Sequence, residues 1–110
     1  MKPHKNKDPA YLDYIREACA LIISRTEHLR LPDFITNQGL QDGIAMRLVV
    51  IGESSTKLTE TTRRKYPNVM WRDMTSLRNI IVHDYGHIDP LKIWDIVKNH
   101  IPKLLEILQT

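Results

Sequence analysis

Apolar residues recur at three- and four-residue spacing along nearly the whole of this 110-residue chain. Nowhere do they alternate for long enough to make a half-buried strand. That periodicity constrains the fold more than any other feature, because it leaves the helix as the only regular element. Leu12, Ile15, Cys19, Ile22 and Ile23 mark the inner face of a first helix over residues 9–28. Asp8 stands as its expected cap, with Pro9 in its first turn. Leu40, Ile44, Leu48, Ile51 and Leu58 form the seam of a second helix over residues 40–61. Trp71, Met74, Leu77 and Ile81 give a third seam, stopped at Gly86. Trp94, Val97, Ile101, Leu104 and Leu108 give the last, capped by Asp89, opened by Pro90 and kinked at Pro102, which lacks a ladder N–H. Pro32 interrupts the series, and the residues from Leu31 to Ile35 read as a short turn of helix carrying Phe34 to the core. The expectation is a single all-α domain over residues 1–110, an up-and-down bundle of four long helices plus a short one, with residues 1–8 as a flexible lead.

Two glycines lie inside the second helix, Gly43 and Gly52, each costing about 1 kcal/mol relative to alanine. Gly52 is the more informative. A missing side chain there admits another backbone at close range, or gives Glu53 a particular setting.

Composition narrows the function classes. Apolar content of 42% and charged content of 26% belong to an ordinary globular protein. One cysteine, Cys19, excludes a disulfide inside the chain and suits a reducing compartment. The charged opening lacks the apolar run of a signal peptide, and no apolar stretch approaches the length of a membrane span. A cytoplasmic protein with no membrane partner is therefore expected. A metal site is not: of His4, His28, His83, His87 and His100, only His83 and His87 have a shared-face spacing, and Gly86 lies between them. The glycines are scattered singly, so no phosphate loop is present, and no cofactor is expected. Cys19 reads as a core residue, and Ser54-Ser55 lacks the sharp turn of a serine nucleophile.

Charge is uneven. Between Lys57 and Arg78 stand six basic residues, Lys57, Arg63, Arg64, Lys65, Arg72 and Arg78, against Glu60 and Asp73. That segment carries +4 of the chain's net +3, leaving −1 for the rest. Such a patch suits a polyanion, and it is also what a solvated helix end would show. Beside it lies Arg78-Asn79-Ile80-Ile81-Val82-His83-Asp84-Tyr85, in which an apolar seam is mixed with a cation, an amide, an imidazole, a carboxylate and a phenol. Asn79 and His83 are four apart and neighbours on a helix. His83 lies five after Arg78, which on an ideal helix turns it about 140° away. Either the helix ends near His83 or a second copy of the chain completes the site.

The pattern Arg-x4-His-x-Tyr resembles the signature of the HEPN superfamily, and more narrowly the HepT-type toxins of HepT/MntA toxin–antitoxin systems. The resemblance extends across the chain: Tyr11-Leu12 opening a long amphipathic helix, the run from Arg47-Leu48 to Ile51-Gly52-Glu53, the lead-in from Pro67 through Trp71 to Asn79, and Trp94 with Pro102 in the closing helix. Gly86-His87 departs from it, standing where such proteins often carry a bulky residue.

The resemblance implies an all-α homodimer, or a higher assembly, acting as a metal-independent endoribonuclease on RNA. Arg78 and His83 are then the catalytic pair. Arg78 holds the phosphate bidentately and stabilises its transition-state charge, and His83 takes a proton role near neutral pH. Asn79 supports by orienting the imidazole or the phosphate, Asp84 by tuning the imidazole's charge, while Arg63, Arg64, Lys65 and Arg72 serve as RNA contacts. Tyr85 corresponds to the tyrosine to which a partner MntA-like nucleotidyltransferase antitoxin attaches AMP; the competing reading is a phenol that only anchors the helix end. An alternative of a different class is a non-catalytic helical module that binds a nucleotidyltransferase or a nucleotide.

Overall fold

The computed structural model describes residues 6–81 and 89–109, which fold as helices without a strand. In chain order these are α1 (Asp8–Thr26), α2 (Leu31–Ile35), α3 (Gln38–Lys57), α4 (Glu60–Arg64), α5 (Trp71–Thr75), α6 (Leu77–Ile81), α7 (Pro90–Asn99) and α8 (Ile101–Leu108). Grouping α5 with α6 and α7 with α8 recovers the four long elements of an all-α bundle. Helices α1 and α3 form the central pair, α5 and α6 pack on α3, and α8 packs on α1. The short α2 bridges α3 and α7. The core runs through all of them, with Ile15, Ile22, Phe34, Ile44, Leu48, Ile51 and Ile101 fully buried. All but Phe34, carried in by the short α2, lie on a seam legible from spacing, because burying one stripe is what holds such short helices together.

The departures from the expected elements have local causes. Asp8 does not cap α1; Lys7 occupies that position and Asp8 is the first helical residue. Nor does Asp8 belong to a flexible lead. It is buried, and its carboxylate accepts hydrogen bonds from the Thr59 amide, the Thr59 hydroxyl and the Thr62 hydroxyl. That capture explains the second departure. The helix expected to reach residue 61 stops at Lys57; Leu58 is extended, and Thr59 begins α4 by accepting from the Thr62 amide. Thr59 and Thr62 hold the Asp8 carboxyl below its usual range, with the nearby Lys65 a smaller contributor. The third seam is likewise divided, where the Thr75 and Ser76 hydroxyls bond the Arg72 and Asp73 carbonyls. Pro102 acts as expected, lying in the first turn of α8 just past a break at His100. Asp89 caps α7, accepting from the Leu91 and Lys92 amides.

Several helix ends are closed by side chains from other elements, which satisfy carbonyls left without intrahelical partners. Lys98 donates to Thr26 O at 2.7 Å at the end of α1, while its Nζ lies 4.7 Å from the centre of the Trp94 ring. Arg16 Nε donates to Leu108 O at 2.8 Å at the end of α8. Gln41 donates to the carbonyls of Phe34 and Ile35, closing α2. Among the described residues no helix is long and apolar enough to cross a membrane.

Candidate functional site

The site is organised by the approach of α6 to α3. A Cβ placed on Gly52 would lie 3.2 Å from Met74 O, 3.3 Å from Arg78 N and 3.4 Å from Leu77 Cβ. Any side chain there would press on the α5–α6 backbone, so the helix-weakening glycine allows α6 to lie directly on α3. Its neighbour Glu53 then stands opposite Arg78, and Arg78 Nη1 contacts Glu53 Oε1 at 2.9 Å. Both open readings of Gly52, close approach and a special setting for Glu53, are thus realised together.

Arg78 remains 62% exposed and Glu53 42% exposed. An ion pair this accessible adds little stability, on the order of 0–1 kcal/mol. What the contact does is orient the fork: one Nη1 donor faces the carboxylate, and Nε and Nη2 have no acceptor among the described residues. The planar guanidinium can hold a phosphate through that free edge. Asn79 is exposed on the same helix, and its side chain forms no hydrogen bond among the described residues. His83, Asp84 and Tyr85 lie outside the described residues.

The basic run divides by role. Arg63 has an internal occupation rather than the RNA contact expected of it. Its Nη2 donates to the Ser55 carbonyl at 2.9 Å and the Thr56 carbonyl at 3.3 Å, closing α3, and its buried Nε has no partner among the described residues. A cation at a helix C-terminus is favourably placed there. Arg64 reaches Glu60 only at 3.6 Å and stays exposed. Lys65 and Arg72 are exposed too, and the Arg72 guanidinium has no hydrogen bond or ion pair among the described residues. Trp71 links this run to the site, its indole N–H donating to the Arg63 and Tyr66 carbonyls so that the start of α5 is tied to the end of α4.

Other nucleophiles recede. Cys19 is fully buried and burial pushes its thiol up to about 12, so no thiolate is available near neutral pH. Among the described residues no group of three or more His, Cys, Asp or Glu is placed to share a metal. Reading the sequence alone did not pair Glu53 with Arg78. The available signal was the glycine before it, and the partner lay 25 residues further on.

Fold and site together define an all-α bundle that presents a carboxylate-braced guanidinium at the edge of a short helix. The chain belongs to the HepT-like family of the HEPN superfamily, described as "Ribonuclease HepT-like", whose model matches residues 15–110. It is 37% identical over 95 residues to "Putative RNase MJ1380" of Methanocaldococcus jannaschii, covering 86% of this chain and 87% of that one. It is 32% identical over 100 residues to "Probable ribonuclease HepT" of Thermococcus cleftensis, covering 91% of each. A third relative, "Gamma-glutamylcyclotransferase and putative RNase MJ0434" of M. jannaschii, is 35% identical over 96 residues; the match spans 87% of this chain and 43% of the longer protein. No solved structure gives a significant match.

Proposed function

We propose that this chain is a metal-independent endoribonuclease, the toxin of a two-component toxin–antitoxin system, working in the cytoplasm as a homodimer through Arg78 and His83. The observation that carries the reading is Arg78 itself, a cation exposed to solvent yet fixed by Glu53, five residues before the imidazole. Family membership and the ribonuclease names of its relatives support the same class of reaction.

The chemistry follows from the groups available. One His83 removes the proton of a ribose 2′-OH, the 2′-oxygen attacks the adjacent phosphorus, and the free edge of Arg78 takes the charge gathering on the phosphoryl oxygens. The P–O5′ bond breaks, and an acid protonates the leaving oxygen. A cyclic 2′,3′-phosphate and a 5′-hydroxyl result. One imidazole cannot act as base and acid in the same step, whereas two copies of the chain supply two. The five-residue spacing of Arg78 and His83, about 140° apart on an ideal helix, also favours a site completed by a second copy. Asn79 and Asp84 orient and tune the imidazole. Arg64, Lys65 and Arg72 draw the RNA backbone in, while Arg63 is held by α3.

Silencing is assigned to Tyr85. The partner nucleotidyltransferase transfers AMP from ATP to the phenol oxygen and releases pyrophosphate. The added phosphodiester brings negative charge near Arg78 and competes with the substrate for its free edge. The test is the intact mass of the protein before and after incubation with the partner and ATP, with RNA cleavage measured on both samples. Mass gained at Tyr85 together with lost cleavage supports the reading. No added mass and no cleavage by either sample, in folded protein, would favour the non-catalytic binding module.

A further inference from the structure

Two tyrosines on α1 have no part in the mechanism above. Tyr11 is partly buried against the core, whereas Tyr14, one turn further on, is 49% exposed. Their rings meet edge to face, with centres 6.0 Å apart and planes at 70°. Lys57, the last residue of α3, brings its Nζ to 5.9 Å from the centre of the Tyr11 ring. The start of α1 is held beside α4 by the hydrogen bonds that Thr59 and Thr62 donate to the Asp8 carboxylate. Lys65, just past α4, is exposed and close enough to Asp8 to help lower its pKa. Glu53, the residue that braces Arg78, lies four residues before Lys57 on α3. The two therefore share a face, about 6 Å apart along the helix axis.

We infer that Tyr14, with Tyr11 and Lys57 beside it, is a base-stacking subsite for a nucleotide of single-stranded RNA next to the phosphate held by Arg78. The inference rests on the ribonuclease reading and deepens it by naming where a neighbouring base is held. A phenol half in solvent offers a π face on which any base can stack, whereas a tyrosine that only filled the core would be covered. The cation selects a nucleotide over a neutral apolar ligand: the Lys57 ammonium has no hydrogen bond or ion pair among the described residues and stands ready for a phosphate. Asp13, the acid between the two tyrosines in sequence, is paired with Arg16 at 3.1 Å. One helical turn of α3 separates Glu53 from Lys57, comparable with the step between successive phosphates of an extended strand. A strand gripped at Arg78 thus meets Lys57 with a neighbouring phosphate and Tyr14 with a base.

The test is the affinity of the full chain for a short 2′-O-methyl oligouridylate, which lacks the attacking 2′-OH, and for an abasic oligomer of the same length and charge. Tyr14→Ala, Tyr14→Phe and Lys57→Ala are compared with the parent. Both positions are exposed, so the fold should survive, and circular dichroism checks it. Tyr14→Ala should weaken binding of the oligouridylate at least about fivefold and leave binding of the abasic oligomer unchanged, while Tyr14→Phe binds both as the parent does. Lys57→Ala should lower the slope of log Kd against log salt by about 0.7, the share of one phosphate contact to a single strand. If folded Tyr14→Ala binds both oligomers like the parent, or loses affinity equally for both, no base rests on Tyr14. The inference then fails, while the ribonuclease reading stands if the parent cuts RNA. An unchanged salt slope in Lys57→Ala removes the phosphate contact and overturns the inference in that form. If the parent neither binds nor cuts RNA, the ribonuclease reading fails and takes this inference with it.

Discussion

Arg78 and Glu53 show how little a contact needs to stabilise in order to matter. The pair is too exposed to contribute much to folding, so its effect falls on where the guanidinium points. Glu53→Gln should leave the unfolding free energy within about 0.5 kcal/mol of the parent. It should nonetheless lower kcat for RNA cleavage several-fold with a smaller change in KM, because orientation is lost and charge for binding is not. Equal kcat in parent and variant would remove Glu53 from the positioning role. Gly52 is the complementary case. Gly52→Val forces a branched side chain against the Met74 carbonyl and the Arg78 amide, and overpacking of that kind costs about 1–3 kcal/mol. Thermal unfolding should show the loss, and cleavage should fall as well, since relief requires α6 to move away from Glu53. The glycine was legible as a clue because it sits where a helix would prefer almost anything else. Its partner atoms were not, being set by how α5 and α6 settle on α3.

At the scale of elements, the seams were readable and the ends were not. Ile15, Ile44, Leu77 and Ile101 are buried because helical spacing alone puts them on an inner stripe. The end of α3 is decided instead by Asp8, 51 residues from Thr59, and no local pattern announces that capture. Arg63 is similar: as one cation in a basic run it looks like an RNA contact, yet it is committed to the last carbonyls of α3. The Asp8 clamp carries a pH signature. Its folded pKa is depressed, so the contribution is complete above the unfolded carboxyl value, about 3.9, and is lost as pH falls through the lower folded value. Asp8→Asn should therefore be less stable than the parent near neutral pH, and the gap should shrink below about pH 4. Thermal unfolding measured from pH 7 to pH 3 checks this, and a gap that stays constant would mean the carboxylate charge plays no part.

For the whole molecule, the described residues present two neighbouring features on α5–α6: a braced cation toward α3, and an apolar groove toward α7 and α8. A chain that only filled its own core would need neither. The basic run leading into α5 exposes Arg64, Lys65 and Arg72, the proposed RNA contacts. Of the proposed catalytic pair, the spacing of Arg78 and His83 was legible from the sequence. The meeting of two copies is a matter of assembly and has to be tested as such.

The most direct measurement is cleavage of structured RNA in the presence of EDTA by the unmodified protein, by Arg78→Ala and by His83→Ala, with the product ends identified. The parent should cut in EDTA and leave 2′,3′-cyclic phosphates. Each variant should remain folded but be slowed by about 10²-fold or more. A His83→Ala protein that cuts as fast as the parent, or a parent whose cleavage stops when divalent ions are removed, would contradict the proposed mechanism.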